Sequence, residues 1–444
     1  MWQRFVKLYK ISIRVPYGKF ALWGFVLMPL DSFYGLSGVV YRPLWIIPFV
    51  IIGLHSVFVT YKVDVTSLKL YLVLSYSFLV SFFSYIYFSY SDQVFLVKSV
   101  FIWLILFFGV LGLLKYFSLF ARKVGVDVMI KGVSLLILIS GVLPLCVGLV
   151  QVGLNLAGLN EVNVVLTSLF SYRVDEGRVQ LISGEPSWAA RYLLFLLAFS
   201  FVFRGGWLYA YRVVVVCLIY FTGSFLGYLS FLAIVAICLF QSGLRIRIFL
   251  KWVPLGVGVF LIGGFGIGEY TIKRASEIIE LLSAMSLDNI FELAAVSASW
   301  MGRVINPFVA VELGFTHPLG IGFGAFKFWL PGVLRDYGVD YLYNDDYLLG
   351  AASTPKSLLP MIWAEYGILV FAILLIYYIK LVLAIKNHFV KYLLYCVPVF
   401  TLLFDSVLYY GLLVPLCMAS IVARASPKYV GGGVGGVNNQ VQHP

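Results

Sequence analysis

Apolar runs of about 20 residues recur along the whole chain, and this feature most restricts its fold. In the hydrocarbon core of a bilayer each backbone polar group must be satisfied within its own segment, so such runs form helices. About twelve runs fit a spanning helix: 21–38, 43–61, 70–90, 95–114, 132–152, 188–204, 207–221, 224–241, 252–268, 357–379, 390–404 and 406–423. The sequence predicts an all-α integral membrane protein with about 12 transmembrane helices.

The composition indicates that lipid, rather than water, is the solvent for most of the chain. Of its 444 residues, 62% are hydrophobic and only 12% are charged, whereas soluble domains are roughly 45–50% apolar and about 25% charged. In a soluble protein a net charge of +12 would suggest a nucleic-acid partner. In a membrane protein the charge reflects sidedness, and we expect no nucleic acid.

The basic residues divide the loops into two sets. With the N-terminus in the cytoplasm, most of the 32 Lys and Arg residues lie in cytoplasmic segments, whereas Asp64 and Asp127 are the acidic residues on that side. This bias follows the positive-inside rule and puts both termini in the cytoplasm. The basic, amphipathic segment 1–20 lacks a signal-peptidase site and predicts a cytoplasmic surface segment.

The same assignment divides the chain into four parts. Transmembrane helices one to nine occupy 1–268 and include a periplasmic loop at about 153–187. A large helical periplasmic loop, 269–356, precedes the tenth span, and helices ten to twelve occupy 357–423. The glycine-rich tail, 424–444, is expected to be a disordered cytoplasmic end.

Cysteine and histidine spacing predicts neither a disulfide nor a metal site. The five cysteines all fall inside apolar runs, no CxxC pair occurs, and no two of the four histidines stand at i, i+4. We therefore expect no metal and no other cofactor.

The stretch GRVQLISGEPSWAARYLL, 177–194, places three charged residues at the start of an apolar run: Arg178, Glu185 and Arg191. Each has an ordinary interpretation. Arg178 suits a solvated loop, Arg191 is near enough to the interface to extend its side chain to water, and Glu185 before Pro186 suits a helix start. Helix initiation alone does not explain a glutamate close to two guanidinium groups.

The loop 269–356 contains basic residues on the side that should be poor in them: Lys273, Arg274, Arg303, His317, Lys327, Arg335 and Lys356. An anionic ligand is the leading explanation. Gly320, Gly322 and Gly324 alternate after Pro318, which predicts a tight turn that approaches a ligand or another helix.

Two further segments have informative polar residues. Ser353 or Thr354 is expected to cap a helix that opens near Pro355, which puts Glu365 inside a span. A carboxylate at such a position indicates a functional or ion-paired role. The small residues at the start of TGSFLGYLSF, 222–231, predict close helix packing.

Taken in order, these motifs resemble a known family. An Arg stands seven residues before E-P-S at 185–187, T-G-S at 222–224 starts a later span, and H-P-L-G-x-G-x-G at 317–324 precedes A-E-x-G-I-L at 364–369. The chain resembles the O-antigen polymerase and O-antigen ligase superfamily of bacterial inner-membrane glycosyltransferases. Ligases of this superfamily have a histidine nine residues before the glutamate of A-E-x-G. Lys356 stands there instead, which favours a polymerase.

The resemblance implies a metal-independent transferase at the periplasmic face of the inner membrane. It implies transfer of a growing glycan from undecaprenyl pyrophosphate to a lipid-linked repeat unit, with a chain-length regulator protein as a further partner beside membrane lipid. The expected catalytic residues are Glu185, Arg178, Arg303 and His317. The expected pyrophosphate- or glycan-binding residues are Arg191, Arg274, Arg335 and Lys356.

Two alternatives stay open at this point. A ligase would use the same donor with a lipid A core acceptor. A transporter or flippase for polysaccharide precursors would also fit twelve spans with both ends inside, although no internal repeat is evident and the large loop is unusual for that class.

Overall fold

The structure, a computed structural model, describes residues 2–30, 44–59, 75–76, 79–80, 82–87, 93–170, 177–183, 185–203, 205–242, 302, 305–338, 357–401 and 409–425. These residues form helices and connecting turns, with no strand among them. The helices are α1 (Trp2–Arg14), α2 (Gly18–Val26), α3 (Ile47–Phe58), α4 (Gln93–Val124), α5 (Val126–Ser140), α6 (Val142–Leu156), α7 (Asn160–Ser168), α8 (Pro186–Ser200), α9 (Gly206–Phe221), α10 (Phe225–Ser242), α11 (Asn306–Thr316), α12 (Phe326–Asp336), α13 (Leu358–Ala384), α14 (His388–Thr401) and α15 (Tyr410–Ala425).

Three helical stretches are long and apolar enough to cross a membrane: Val100–Val124, Val126–Leu156 and Leu358–Ala384. Shorter apolar helices accompany them at Leu44–Phe58, Gly206–Phe221, Gly227–Ile237 and Tyr410–Ala425. The predicted all-helical fold is thus confirmed over the described residues, and these apolar helices are consistent with a membrane protein, whereas the number of about 12 spans stays a prediction.

One predicted span has the wrong C-terminal boundary. The run 21–38 was expected to form a single helix, but α2 ends at Val26 and a turn follows at 27–29. The side chains of the run stay apolar through this turn, so hydropathy alone extended the helix past its end. The predicted run 252–268 lies outside the described residues.

Helix α8 forms the centre of the bundle. Every residue in it except Ser187 is buried, and α5, α9, α10 and α14 pack around it. A helix that is apolar on all sides is stable only when other helices cover all of them. At its end, Arg212 of α9 donates to the backbone carbonyls of Ser200 (2.7 Å) and Phe203 (2.8 Å), which satisfies carbonyl groups that lack intrahelical partners.

Helix α1 lies on the surface, as its amphipathic sequence predicts. Gln3, Lys7, Lys10 and Arg14 share its exposed face, while the helix packs against α5. At its end, Lys123 donates to the carbonyl of Arg14 (3.2 Å). The basic residues of α1 and of the end of α4 therefore lie together.

Helices α5 and α6 continue through Gly141, whose backbone is itself helical (φ −74°, ψ −16°). Together they span 31 residues, or roughly 46 Å at the α-helical rise of about 1.5 Å per residue. Lys123 lies just before this rod begins, and Gln151, near its other end, binds the loop 177–183. The basic surface of α1 and the charged stretch 177–191 thus lie at opposite ends of the bundle.

Candidate functional site

A buried glutamine fixes the loop that precedes α8. The side chain of Gln151 accepts hydrogen bonds from the backbone N–H of Gln180 (3.2 Å) and Leu181 (2.9 Å). Its amide nitrogen donates to the Leu181 carbonyl (3.0 Å) and to the Thr167 hydroxyl (3.1 Å). Leu181 has φ +56°, a left-handed conformation that costs energy for a leucine. Gln151 therefore stabilises a loop conformation that the chain would not adopt by itself.

We expect Gln151→Leu to lower the free energy of unfolding by roughly 2–4 kcal/mol, because it leaves buried backbone groups of the loop without partners. Thermal unfolding of the detergent-solubilised protein measures the loss. Gln3→Leu, on the exposed face of α1, is the matched control and should have little effect. Equal melting temperatures for the two variants would show that Gln151 does not hold the loop.

Arg178 joins two of the sequence motifs. Its Nε donates to the carbonyl of Thr222 (2.9 Å) and its Nη2 to that of Gly223 (3.2 Å). Beside it, the backbone N–H of Val179 donates to the Phe221 carbonyl (3.1 Å). The interpretation of Arg178 as a solvated loop residue is therefore wrong, since its half-buried guanidinium binds the T-G-S turn.

The T-G-S turn starts α10 with residues suited to each position. Gly223 has φ +58°, and a Cβ there would lie 3.3 Å from Nε of Arg178, so the close approach favours glycine. The Ser224 hydroxyl accepts from the backbone N–H of Gly227 (3.2 Å), an ordinary helix cap. Gly227 lets α10 approach α8, since a Cβ would lie only 2.8 Å from Cβ of Ala190. The predicted close packing is confirmed.

Two helices start at this end of the bundle. α9 connects the end of α8 to the turn before α10, so α8 and α10 run in the same direction. Their N-termini have a positive electrostatic potential from backbone N–H groups, and Arg178 and Arg191 lie at or near these starts. We name this corner, made by Arg178, Glu185, Arg191 and the turn 222–224, the α8/α10 corner. Its electrostatics favour an anion.

Glu185 lies at the N-cap position of α8. Its backbone is extended (φ −148°, ψ 150°), Pro186 follows, and its carbonyl accepts from the N–H groups of Trp188 and Ala189. The predicted helix start is confirmed. The carboxylate does not cap the helix, however, and instead Oε2 accepts from the Ser187 hydroxyl (3.2 Å). The acid group is thus not used to satisfy the first N–H groups of α8.

Arg191 lies inside the bundle. It is only 5% exposed, so the interpretation that its side chain extends to water at the interface is wrong. The reason is that α8 is covered on all sides, whereas an interfacial arginine requires an open face. A guanidinium at such a position is costly and indicates a functional or ion-paired role.

The motifs at 317–324 and 364–369 also contact each other, at a break in α13. Gly367 has a non-helical backbone (φ 81°, ψ 168°), so the carbonyls of Ala364 and Glu365 lose their helical partners. Ile321 and Gly322 supply N–H groups to these carbonyls at 2.9 and 3.0 Å, and Ile368 donates to the Pro318 carbonyl at 2.9 Å. The turn 317–322 replaces the hydrogen bonds that the break removes.

The alternating glycines make this contact possible. Gly320, Gly322 and Gly324 all have positive φ, between +71° and +97°. A Cβ at Gly320 would lie 2.6 Å from the Glu365 carbonyl oxygen. The prediction of a tight turn that approaches a ligand or another helix is confirmed, and what it approaches is α13.

His317 ends α11 and contacts its neighbours in the turn. Its backbone N–H donates to the Leu313 carbonyl (2.8 Å), Nδ1 lies 2.9 Å from the Thr316 hydroxyl, and the ring meets that of Trp329 edge-on at 4.3 Å. These contacts hold the ring in the turn beside α13, and the catalytic role of His317 stays a prediction.

Of the remaining predicted residues, some lie in the described part of the chain and some lie outside it. Arg335 is exposed in the last turn of α12, and Glu365 is 1% exposed inside α13. Arg274, Arg303 and Lys356 lie outside the described residues, so their roles stay predictions. The predicted cap at Ser353 or Thr354 is wrong, because α13 begins at Leu358 with Ser357 as its N-cap.

Metal ligands were not expected from the sequence. Over the part of the chain that the structure describes, no three His, Cys, Asp or Glu side chains form a group that could hold an ion. Asp345 and Asp346 lie outside that part, so metal independence stays a prediction.

Comparison with protein-family models, with curated proteins and with solved structures finds no match to this chain. The geometry of the residues is thus the basis for any functional inference.

Sequence reasoning missed two polar residues that fix the surroundings of α8: Gln151 holds the loop before it, and Arg212 binds its C-terminal end. Gln151 is a polar residue near the end of the apolar run 132–152. A lone amide in an apolar run needs hydrogen-bond partners, and this was the sequence signal that could have identified it. Arg212 lies inside the run 207–221, where an arginine needs a partner. Its partners, the carbonyls at the end of α8, could not be recognised without the packing of α9 on α8.

Proposed function

We propose that this protein is a surface-polysaccharide polymerase of the O-antigen type. It transfers a growing glycan from undecaprenyl pyrophosphate to the free end of a lipid-linked repeat unit. The observation that supports this most is the α8/α10 corner, where Arg178 and the T-G-S turn lie at the starts of two parallel helices, with Glu185 at the N-cap of α8 and Arg191 within it. The leaving group of the reaction is a pyrophosphate, and the corner has the electrostatics to bind one.

The reaction assigns a role to each residue of the corner. The acceptor hydroxyl oxygen attacks the anomeric carbon of the donor glycan, and the bond from that carbon to the pyrophosphate oxygen breaks. Arg178 and Arg191 stabilise the charge that develops on the departing pyrophosphate. Glu185 takes the hydroxyl proton as a general base.

The bonds from Arg178 to the turn serve this role. A guanidinium has five N–H donors in one plane, and the carbonyls of Thr222 and Gly223 take two of them. These two bonds fix the plane and orientation of the group. A pre-oriented cation stabilises a developing charge better than one that must reorganise during the reaction.

The location follows from the same proposal. The basic surface of α1 and the α8/α10 corner lie at opposite ends of the α5–α6 rod. With the basic end in the cytoplasm, the corner faces the periplasm of a bacterial inner membrane, where lipid-linked repeats are polymerised. Arg303 and Lys356 are assigned to the same substrate by the sequence motifs.

Deletion of the gene in its host, with gel electrophoresis of the surface polysaccharide, tests the function. We expect products with a single repeat unit, and restoration of the full ladder when the gene is supplied in trans. Complete loss of chains from the lipid A core would instead indicate a ligase. Repeat units retained on the cytoplasmic side would indicate a transporter, and an unchanged ladder would contradict all three functions.

A further inference from the structure

Helix α11, the turn 317–325 and α12 form a hairpin beside the first half of α13. In the last turn of α11, a Cβ at Gly314 would lie 2.7 Å from the Trp363 ring, and the rings of Phe315 and Trp363 are 4.5 Å apart. Further along, the Pro318 carbonyl accepts from Ile368. The partners on α13 advance from 363 to 368 as the hairpin advances from 314 to 318, so α11 runs parallel to α13. The register of the two segments is therefore fixed.

The position of the hairpin along the membrane normal follows from α13. This helix is a candidate span, and its apolar run ends at Lys380, which is exposed. Counting back the length of a spanning helix, about 20 residues, puts the other membrane boundary near Pro360. Ile368 then lies roughly 12 Å inside that boundary, at a rise of about 1.5 Å per residue. The turn that binds Ile368 lies at the same depth.

The exposed side chains of the hairpin suit that depth. Phe315 is 67% exposed and Leu319 is 70% exposed, beside Ile368 and Leu369 of α13 at 47% and 49%. Thr316, between the first two, donates its hydroxyl to the carbonyl of Glu312 in its own helix (3.1 Å). Large exposed apolar side chains that adjoin the lipid-facing side of a span indicate hydrocarbon contact.

The polar side chains of the hairpin have partners: at the depth of the turn, the His317 ring packs on Trp329 and its Nδ1 lies 2.9 Å from the Thr316 hydroxyl. Glu312 precedes the level of Trp363 by about half a turn of helix, and it accepts a hydrogen bond from the Tyr337 hydroxyl. Lys327, after the turn, is partly buried, and its ammonium group lies 4.6 Å from the centre of the Phe328 ring. A cation–π contact of this kind offsets part of the cost of a cation below the boundary.

We propose that residues 306–336 form a re-entrant hairpin that enters the bilayer beside α13, with Phe315 and Leu319 in contact with lipid acyl chains. Irregular backbone at membrane depth is stable only where protein satisfies its polar groups. The hydrogen bonds between 318–322 and the break at Gly367 meet this requirement. The hairpin thus belongs to the membrane domain, whereas its location within the predicted loop 269–356 would put it in water.

Site-directed labelling tests the proposal in full-length protein reconstituted into lipid vesicles. In a variant with Ala in place of Cys146, Cys217, Cys238, Cys396 and Cys417, a bimane fluorophore is attached at Phe315→Cys, Leu319→Cys or Arg335→Cys. Fluorescence at 315 and 319 should be quenched by nitroxides on lipid acyl chains and resist a water-soluble quencher. The label at 335, where Arg335 is exposed in the last turn of α12, should show the opposite preference.

A second measurement uses the unaltered protein and covers the case in which the cysteine-free variant does not fold. A diazirine on a lipid acyl chain, photolysed in the vesicles, should insert into the segment 315–319 and into 368–376, but not into 335–338. Strong quenching of the 319 label from water, or acyl-chain insertion at 368–376 without any at 315–319, would overturn the proposal. Neither readout depends on catalytic activity.

Discussion

Arg178→Ala is expected to reduce polymerisation about a hundredfold or more, since loss of one charge-assisted contact to a leaving group costs ~3 kcal/mol. Arg178→Lys should also be poor, because an ammonium cannot reproduce the two-pronged geometry of a guanidinium. The rate is measured with purified protein and synthetic lipid-linked repeat units. Glycan ladders in the complemented deletion strain provide the second readout.

The bonds of Arg178 to Thr222 and Gly223 make a second explanation possible, in which the variant only loosens the start of α10. Arg212 offers a matched control at the other end of α8. It binds the Ser200 and Phe203 carbonyls with the same chemistry, yet it lies away from the α8/α10 corner. Arg212→Ala should therefore lower the melting temperature while the folded protein stays active.

The comparison of the two variants decides the role of Arg178. If Arg178→Ala loses stability to the same extent as Arg212→Ala and keeps comparable activity, Arg178 is only structural and the corner is not the pyrophosphate site. If activity falls about a hundredfold below that of Arg212→Ala at equal stability, the leaving-group role is supported. Arg191→Gln, a neutral variant of similar size, should resemble Arg178→Ala in activity.

The sequence predicted the positions of helices correctly where one physical signal, the length of an apolar run, determines them. Apolar length located α9, α10 and α14 within a few residues at both ends, because hydrocarbon thickness fixes the length of a span. It failed at α2, where the apolar composition continues past a turn at 27–29. Hydropathy records the preference of side chains for lipid, and it contains no information about where the backbone stops being helical.

The candidate site shows a similar division. Glu185 before Pro186 predicted the start of α8, because both residues favour a helix N-terminus locally. The environment of Arg191 was missed, since its burial depends on helices α5, α9, α10 and α14, which pack around α8. Local sequence specifies caps and turns, whereas the burial of a charge depends on residues that are distant in sequence.

The break in α13 depends both on local turn residues and on contacts between residues that are distant in sequence. The sequence suggested a tight turn from Gly320, Gly322 and Gly324, but it offered no reason to pair that turn with Gly367. The pairing follows from hydrogen-bond requirements, because a helix broken at Gly367 needs new partners for its carbonyls and a turn of positive-φ glycines can supply N–H groups at close range. Two motifs 40 or more residues apart are thus parts of one structural unit.

Gly320→Ala should be among the most destabilising single substitutions in the described part of the chain. A Cβ would lie 2.6 Å from the Glu365 carbonyl oxygen and 2.7 Å from the Gly367 nitrogen, and both are backbone atoms that cannot move aside without breaking the pairing. The left-handed backbone at φ +93° adds strain for alanine. Together we expect a loss of roughly 3 kcal/mol or more in the free energy of unfolding.

Gly338→Ala separates the two contributions. Gly338 also has a left-handed backbone, at φ +71°, but a Cβ at this position would meet no heavy atom within 4 Å. This control should therefore cost only the backbone strain, of order 1 kcal/mol. Thermal unfolding in detergent compares the two variants, and the difference between them measures the contact of the turn with α13. Similar melting temperatures would mean that the turn 317–322 does not pack against the break at Gly367, and the re-entrant hairpin would then lose the hydrogen bonds on which its stability in the bilayer depends.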